Sequence, residues 1–305
     1  MAGLLFLGGD GGGTNTRARL RDAGGNLLGE GFAGPGNARL GDAAYASVLS
    51  ACRQAMGAAG ISEGEARSIH AGFGLAGTQQ DPDRTAMLDR AWPFASVMID
   101  TDAYTSYLGA FGGADGAILI LGTGSGGLAC VGGRRLNVGG WGADVADEGS
   151  GMAIGRLAIR RSLWALEGMA PLTPLARRIL AAFDNSPPNV VIWAGNAIPG
   201  DYARFAPWVF EAADAGDELG VGVIRAAAAD AAMLIRRLLE LGAPQVAMIG
   251  SIFPPLLKWL PADLVPGLVR PAADAMEGAI LMARRGLEGQ GTGRPGSRRP
   301  SLPGV

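Results

Sequence analysis

Residues 4–31, LLFLGGDGGGTNTRARLRDAGGNLLGEG, hold the pattern from which the fold is read. A short apolar run ends in a glycine and threonine turn. An alternating run follows, then a Gly-Gly turn and another short run, and the whole predicts three antiparallel strands. The same succession returns at residues 117–142, AILILGTGSGGLACVGGRRLNVGGWG: strand, glycine-threonine turn, strand, Gly-Gly turn, strand. One three-strand unit is used twice.

Working outward, residues 42–60 place Ala43, Ala46, Val48, Leu49, Ala51, Cys52, Ala55 and Met56 at near-helical spacing before Gly60. SIHAGFGLAGT (68–78) and ASVMIDTD (95–102) read as buried strands around a polar segment of helical character at 81–91. DAYTSYLGAFG then begins a helix behind an aspartate. After the second meander, SGMAIGRLAIRRSLWALEG is an amphipathic helix started by Ser150. Further helices are expected across 173–183, 204–214 and 218–241, a strand across 244–252, and a last helix at 272–285. The tail, rich in Gly, Pro, Arg and Ser, offers almost nothing apolar to bury and is expected to be disordered over 286–305.

The composition excludes much. Among 305 residues, 26 basic side chains face 28 acidic ones, so no global field attracts phosphate backbones or anionic lipid, and neither nucleic acid nor membrane is an expected partner. Lysine occurs once (Lys258), histidine once (His70) and cysteine twice (Cys52, Cys130). A Walker A loop and a protein kinase both need a lysine in a context that LLKWLP does not offer. A zinc site of His and Cys cannot be assembled. MAGLLFLGGD has no basic leader region, and no 18-residue window is free of charges and turn residues. A cytoplasmic protein with reduced, buried thiols is expected.

Without lysine, a triphosphate must be held by backbone N–H groups, hydroxyls and a metal. Glycine turns suit this, because a missing Cβ lets several amides face one anion. Two such turns each follow an apolar strand, Gly9–Asn15 and Gly122–Gly127; the alternative is that they only close hairpins. Asp10 in the first turn could anchor Mg²⁺ through water. Gly122, Gly124 and Gly127 also match a dinucleotide fingerprint, but that pattern requires a helix to follow, and LACVGGRRLNVGG has no helical face.

Asp100 and Asp102, at the end of an apolar strand, either cap the next helix or include a general base for a hydroxyl attacking phosphorus; the residues alone favour capping. Asp144, Asp147 and Glu148 either complement a helix dipole or bind a polyhydroxylated ligand. Asn37, after a Pro-Gly turn, carries no message alone. His70 reads as a structural histidine, and YARFAPWVF (202–210) as core packing.

Read in order, Gly9-Asp10-Gly11-Gly12-Gly13-Thr14, Thr101-Asp102-Ala103, Gly122-Thr123-Gly124-Ser125, Gly139-Gly140-Trp141-Gly142, Asp147-Glu148-Gly149-Ser150-Gly151 and Gly250-Ser251 resemble the BadF/BadG/BcrA/BcrD-type ATPase and N-acetylglucosamine kinase family. That family lies within the actin, Hsp70 and hexokinase superfamily, and the likeness spans about residues 3–285. The segments 198–202, 250–252 and 274–279 are most similar to its bacterial glucosamine-kinase branch.

The resemblance implies an α/β protein of two ribonuclease-H-like, actin-like domains, with ATP and sugar in the cleft between them. These would be residues 1–112, with the last helix packing back on them, and 113–271. It implies a kinase that phosphorylates the 6-hydroxyl of an amino sugar, with Asp102 accepting the proton, which reverses the capping preference. Asp10 would serve Mg²⁺. Gly11, Gly12, Gly13, Thr14 and Asn15 would serve the phosphates, and Thr123 and Gly124 phosphate and sugar. Asn37, Gly140 and Asp147 would meet sugar hydroxyls, and Gly250 with Ser251 the adenosine.

The expected partners are ATP and the amino sugar, with a homodimer allowed. One departure matters. N-acetylglucosamine kinases commonly carry asparagine after Gly-Thr-Gly-Ser, where this chain has Gly126, which leans toward a free amino sugar with a carboxylate such as Asp147 near its ammonium. A branch that holds an iron-sulfur cluster on subunit cysteines is disfavoured by Cys52 and Cys130. The alternatives are a sugar-independent ATPase, a non-catalytic sugar sensor and, third, a nicotinamide enzyme.

Overall fold

The computed structural model describes residues 3–79 and 81–290. Most of the tail expected to be disordered, from residue 291 on, lies outside the described residues. Strand β1 (Leu5–Gly11) turns into β2 (Thr16–Asp22) and β3 (Leu27–Ala33), followed by α1 (Asp42–Ala58), β4 (Ile69–Leu75), α2 (Asp81–Leu88), β5 (Ser96–Asp100) and α3 (Asp102–Phe111). Then come β6 (Gly116–Leu121), β7 (Ser125–Val131), β8 (Arg134–Val138), α4 (Gly151–Leu166), α5 (Pro174–Ala181), α6 (Pro187–Ala194), α7 (Pro199–Ala203) and α8 (Ala206–Asp214). The chain ends with α9 (Glu218–Glu240), β9 (Val246–Ile249), α10 (Phe253–Leu256), β10 (Leu268–Val269) and α11 (Ala275–Gln290).

Two compact units result, one of residues up to Gly112 joined by those from Ala272 on, the other of Gly113–Pro271. Each holds a five-stranded sheet, ordered β3-β2-β1-β4-β5 in the first and β8-β7-β6-β9-β10 in the second. Counted from its own first strand, each sheet has the same order. In each, the first three strands form an antiparallel meander and the last two add parallel to the first. The duplication expected from residues 4–31 and 117–142 is thus a duplication of topology.

In the first unit the alternation of β1 sends Leu7 into a core shared with Leu20, Val48, Cys52, Met56, Ile69 and Phe73. Its opposite face carries Gly8, which with Gly72 on β4 lies against the backbone of α11 at Met276 and Ala279, so that any side chain there would collide with the helix. The last helix therefore seats directly on the sheet. It also runs further than expected, to Gln290 where an end at 285 was read. Leu287 packs against the cluster of Phe6, Ile280 and Ala283, and Gly286 makes room for Met98, which gives the last turn a buried face.

The second unit packs its sheet against long α9, with Leu119, Leu121, Ile154, Phe205, Val223 and Ile235 in one core. Phe205 lies 5.8 Å from Phe183 and 5.3 Å from Trp208 between ring centroids, so the 202–210 aromatics are core, as expected. The turn Gly122–Gly124 is followed by strand β7 and not by a helix, which removes the dinucleotide reading. Cys52 and Cys130 are free and buried. His70 bonds the Ser96 hydroxyl at 2.8 Å through Nδ1, in the structural role expected of it.

Candidate active site

Each unit brings its sequence-marked residues to the carboxyl ends of its parallel strands, where open α/β sheets bind ligands. In the first unit these ends are the turn after β1, the segment after β4 and the start of α3. Gly12 N–H donates to Asn15 O at 2.9 Å and closes the β1–β2 turn. Among the described residues, the amides of Gly13, Thr14 and Asn15 donate to no acceptor. They are the free donors a phosphate cradle requires.

Gly11 and Gly12 differ in their surroundings. A Cβ at Gly11 would meet Leu75 at 2.7 Å and Gly36 O at 3.0 Å, whereas at Gly12 the nearest atom is Asn15 O at 3.7 Å and at Gly13 nothing lies within 4 Å. Gly11 is required by packing; Gly12 and Gly13 are open. The same turn anchors Asn37: Gly36 N–H donates to Gly12 O at 2.9 Å, and Ala38 N–H to Ala76 O at 2.8 Å. Asn37 caps a short 3-10 turn by accepting from Arg39 N–H at 3.0 Å.

Asp10, on β1, is the cross-strand partner of Arg17 on β2, and the two form an ion pair of 2.6 Å through Oδ2. Asp102 opens α3 but does not cap it. Thr101 is the cap, accepting from Tyr104 N–H at 3.1 Å, while Asp102 Oδ1 accepts from Ala103 N–H at 3.0 Å. The capping role favoured by the residues alone thus belongs to Thr101. Burial, and then the charge of Asp10, push the Asp102 carboxyl up to about 6.

In the second unit α4 holds the β6–β7 turn by its amino end. Gly151 N–H donates to Gly122 O at 2.8 Å and Met152 N–H to Thr123 O at 3.1 Å, with Ser150 capping the helix. Ser125 N–H reaches Asp147 Oδ1 at 3.2 Å, and a Cβ at Gly124 would stand 2.8 Å from Asp147 Oδ2. Asp147 is only 7% exposed and takes a left-handed backbone, φ 68, which a non-glycine residue adopts at a cost. Burial first, then the nearby charge of Glu148, raise its carboxyl above the usual aspartate range, while the Ser125 N–H works the other way. Gly140 lies beside Gly126, whose Cβ would come within 3.3 Å of the Gly140 Cα. Gly250, φ 106, sits tightly over Leu121 O with exposed Ser251 beside it.

Within the first unit, then, Asp10, Gly11, Gly12, Gly13, Thr14, Asn15, Asn37 and Asp102 stand at one end of the sheet. Within the second, Thr123, Gly124, Gly140, Asp147, Gly250 and Ser251 do so. Three residues escaped the sequence reading. Arg17 pairs with Asp10. Ser125 is 8% exposed, and its hydroxyl has no partner among the described residues. Asp230 on α9 is raised by burial and by Glu148. The register of a tight hairpin would have found the first; the other two depend on long-range packing.

Two mixed sheets of one strand order, each sending its first strand into a glycine turn, define an actin-like ATPase fold. The chain belongs to the BadF/BadG/BcrA/BcrD ATPase family, whose sequence model matches residues 7–283. It is 38% identical over 279 residues to glucosamine kinase GspK of Vibrio cholerae, covering 91% of this chain and 95% of that one. Among solved structures, a Chromobacterium violaceum protein described as an N-acetylglucosamine kinase is 34% identical with a TM-score of 0.86, covering 93% of this chain and 100% of the other. A ROK family glucokinase of Streptomyces griseus, in complex with glucose and AMPPNP, shares the fold at 21% identity, with a TM-score of 0.56 over 92% of this chain and 98% of that one.

Proposed function

We propose that the protein transfers the γ-phosphoryl group of ATP to the 6-hydroxyl of an amino sugar, with glucosamine the preferred acceptor. The observation that carries this reading is the raised carboxyl of Asp102, set beside Asp10 next to a turn with three uncommitted amides. An aspartate in this state is ionised at neutral pH yet is a stronger proton acceptor than an ordinary one, as a general base for an alcohol must be. The likeness to glucosamine kinase GspK over nearly the whole chain supports the sugar.

The remaining chemistry is positioning and charge neutralisation. The amides of Gly13, Thr14 and Asn15 would hold phosphate oxygens, as would the exposed Thr123 turn. Gly250 and Ser251 would lie along the adenosine. Asn37, Gly140 and Asp147 would orient the acceptor so that its 6-hydroxyl meets Asp102. The donor set suits Mg²⁺ carried by the nucleotide: Asp10 offers a carboxylate oxygen that Arg17 leaves unengaged, and no cluster of three acidic or imidazole ligands exists among the described residues to bind a metal by itself. When bound, Mg²⁺ would neutralise phosphate charge. Free, buried cysteines support a reducing, cytoplasmic setting, and no helix among the described residues is long and apolar enough to cross a membrane.

A coupled ADP-release assay with glucosamine, N-acetylglucosamine, glucose and no sugar tests the reading. Turnover that depends on an amino sugar is expected. Hydrolysis indifferent to sugar would make the protein an ATPase, and silence with every sugar would leave a sensor.

A further inference from the structure

The chain has almost no lysine, so the question is which cation answers a triphosphate. The single lysine, Lys258, is exposed in the second unit and paired with Asp214 at 2.6 Å. Arginines offer more. Arg17, Arg19 and Arg21 alternate along β2 and therefore project from one face of the sheet. Their environments differ sharply. Arg19 is held by Glu30, Asp274 and Glu277 at 2.7, 3.0 and 2.8 Å, and Arg21 by Glu277 and the Gly25 carbonyl. Their side chains are 16% and 23% exposed, and both tie α11 to the sheet.

Arg17 has one anionic partner, Asp10, and its side chain is 40% exposed. A guanidinium carries five N–H donors in a planar fork. Among the described residues only one nitrogen of Arg17 is engaged, at Asp10 Oδ2. The residue also stands directly across the hairpin from Asp10 and two positions after Asn15, the last of the uncommitted amides. A half-exposed ion pair of this kind is weak, so the guanidinium can change partners at little cost. Phosphate oxygens would satisfy its remaining donors in the forked geometry that arginine favours.

We propose that Arg17 is a nucleotide-binding residue, parked on the Asp10 carboxylate and taking the phosphate oxygens of ATP or ADP when the nucleotide arrives. This rests on the phosphotransferase reading and adds a protein cation to it. The pair keeps the guanidinium beside the turn without committing its donors, and it keeps Asp10 ionised for the nucleotide's metal.

The test is equilibrium binding of AMPPNP, ADP and adenosine to wild type, Arg17→Gln and Arg17→Lys by titration calorimetry with Mg²⁺ present, with melting curves alongside. Arg17→Gln should weaken AMPPNP by about 10- to 100-fold, the scale of a lost charge-assisted contact. Adenosine, which has no phosphate, should bind as before. Lysine should recover part of the loss. Equal AMPPNP affinity in wild type and Arg17→Gln overturns the assignment, as does an equal loss for adenosine, which would mean a distorted turn. If wild type itself binds no AMPPNP, the phosphotransferase reading fails and this proposal with it. Binding by wild type with an unaffected Arg17→Gln variant sinks only the role of Arg17.

Discussion

Asp102, at the first residue of α3, feels the charge of Asp10 at the end of β1, and burial plus that charge hold its carboxyl near 6. Two acids placed so are costly to ionise together, and the fold keeps them both. Asp10 is already stabilised as an anion by Arg17, which leaves Asp102 as the member of the pair that accepts a proton most readily.

Replacing Asp102 by asparagine should leave acceptor binding within about threefold and cut turnover by on the order of a hundredfold or more, because shape is kept while the base is lost. Single-turnover ADP release and acceptor titration measure the two effects. Near-normal turnover would remove Asp102 from the chemistry.

The pH dependence of kcat/KM for the acceptor carries the sign of the same group. A base works in its ionised form, so the rate should climb with pH and level off above about 6. The acid limb should disappear from the residual activity of Asp102→Asn.

Stability should move the other way. A carboxyl raised in the fold stabilises the native state below its unfolded value of 3.8 and loses that contribution as pH rises through about 6. Asp102→Asn should therefore gain on wild type, by on the order of 2 kcal/mol, between pH 4 and pH 8. Urea denaturation of both proteins at the two pH values reads the difference; no change would mean that the site does not strain the fold.

Gly12→Val separates nucleotide entry from folding. Its Cβ meets nothing nearer than Asn15 O at 3.7 Å, so stability should stay within about 1 kcal/mol of wild type while AMPPNP affinity falls at least tenfold. Gly11→Val, by contrast, pushes into Leu75 and Gly36 and should destabilise the unit outright. Unchanged AMPPNP binding in Gly12→Val would take the first turn out of the nucleotide site.

Gly126→Asn probes the acceptor side. The new Cβ would stand 3.3 Å from the Gly140 Cα, so the glycine loop at 139–142 must shift to admit the side chain. Overpacking of this kind costs about 1–3 kcal/mol, and the KM for glucosamine should rise roughly tenfold while that for ATP stays level. Steady-state kinetics in both substrates decide it.

Much of this was legible beforehand, because glycine turns punctuate strands so plainly that both meanders could be read from residues 4–31 and 117–142. Ser150 and Gly60 marked a helix start and a helix end for the same local reason. What stayed hidden depended on partners distant in sequence. Leu287 extends α11 because Phe6 receives it. Helix α6 buries only Val190 and leaves Val191 and Ile192 exposed, so PPNVVIWA has no amphipathic stripe to read, and β10 is two residues long. The two possible jobs of Asp102 could not be separated by spacing. Thr101, its neighbour, does the capping, and only coordinates reveal which of two adjacent polar residues folds back on the helix.

The repeated strand order has a lesson about inheritance. Counting back from each hairpin, Asp10 opposite Arg17 in the first sheet corresponds to Ile120 opposite Gly126 in the second. Had the molecule remained an assembly of two identical half-length chains, an acid gained in one would have appeared in both. Tandem fusion of a doubled gene frees each copy to mutate alone, and the lone acid-guanidinium couple records that freedom.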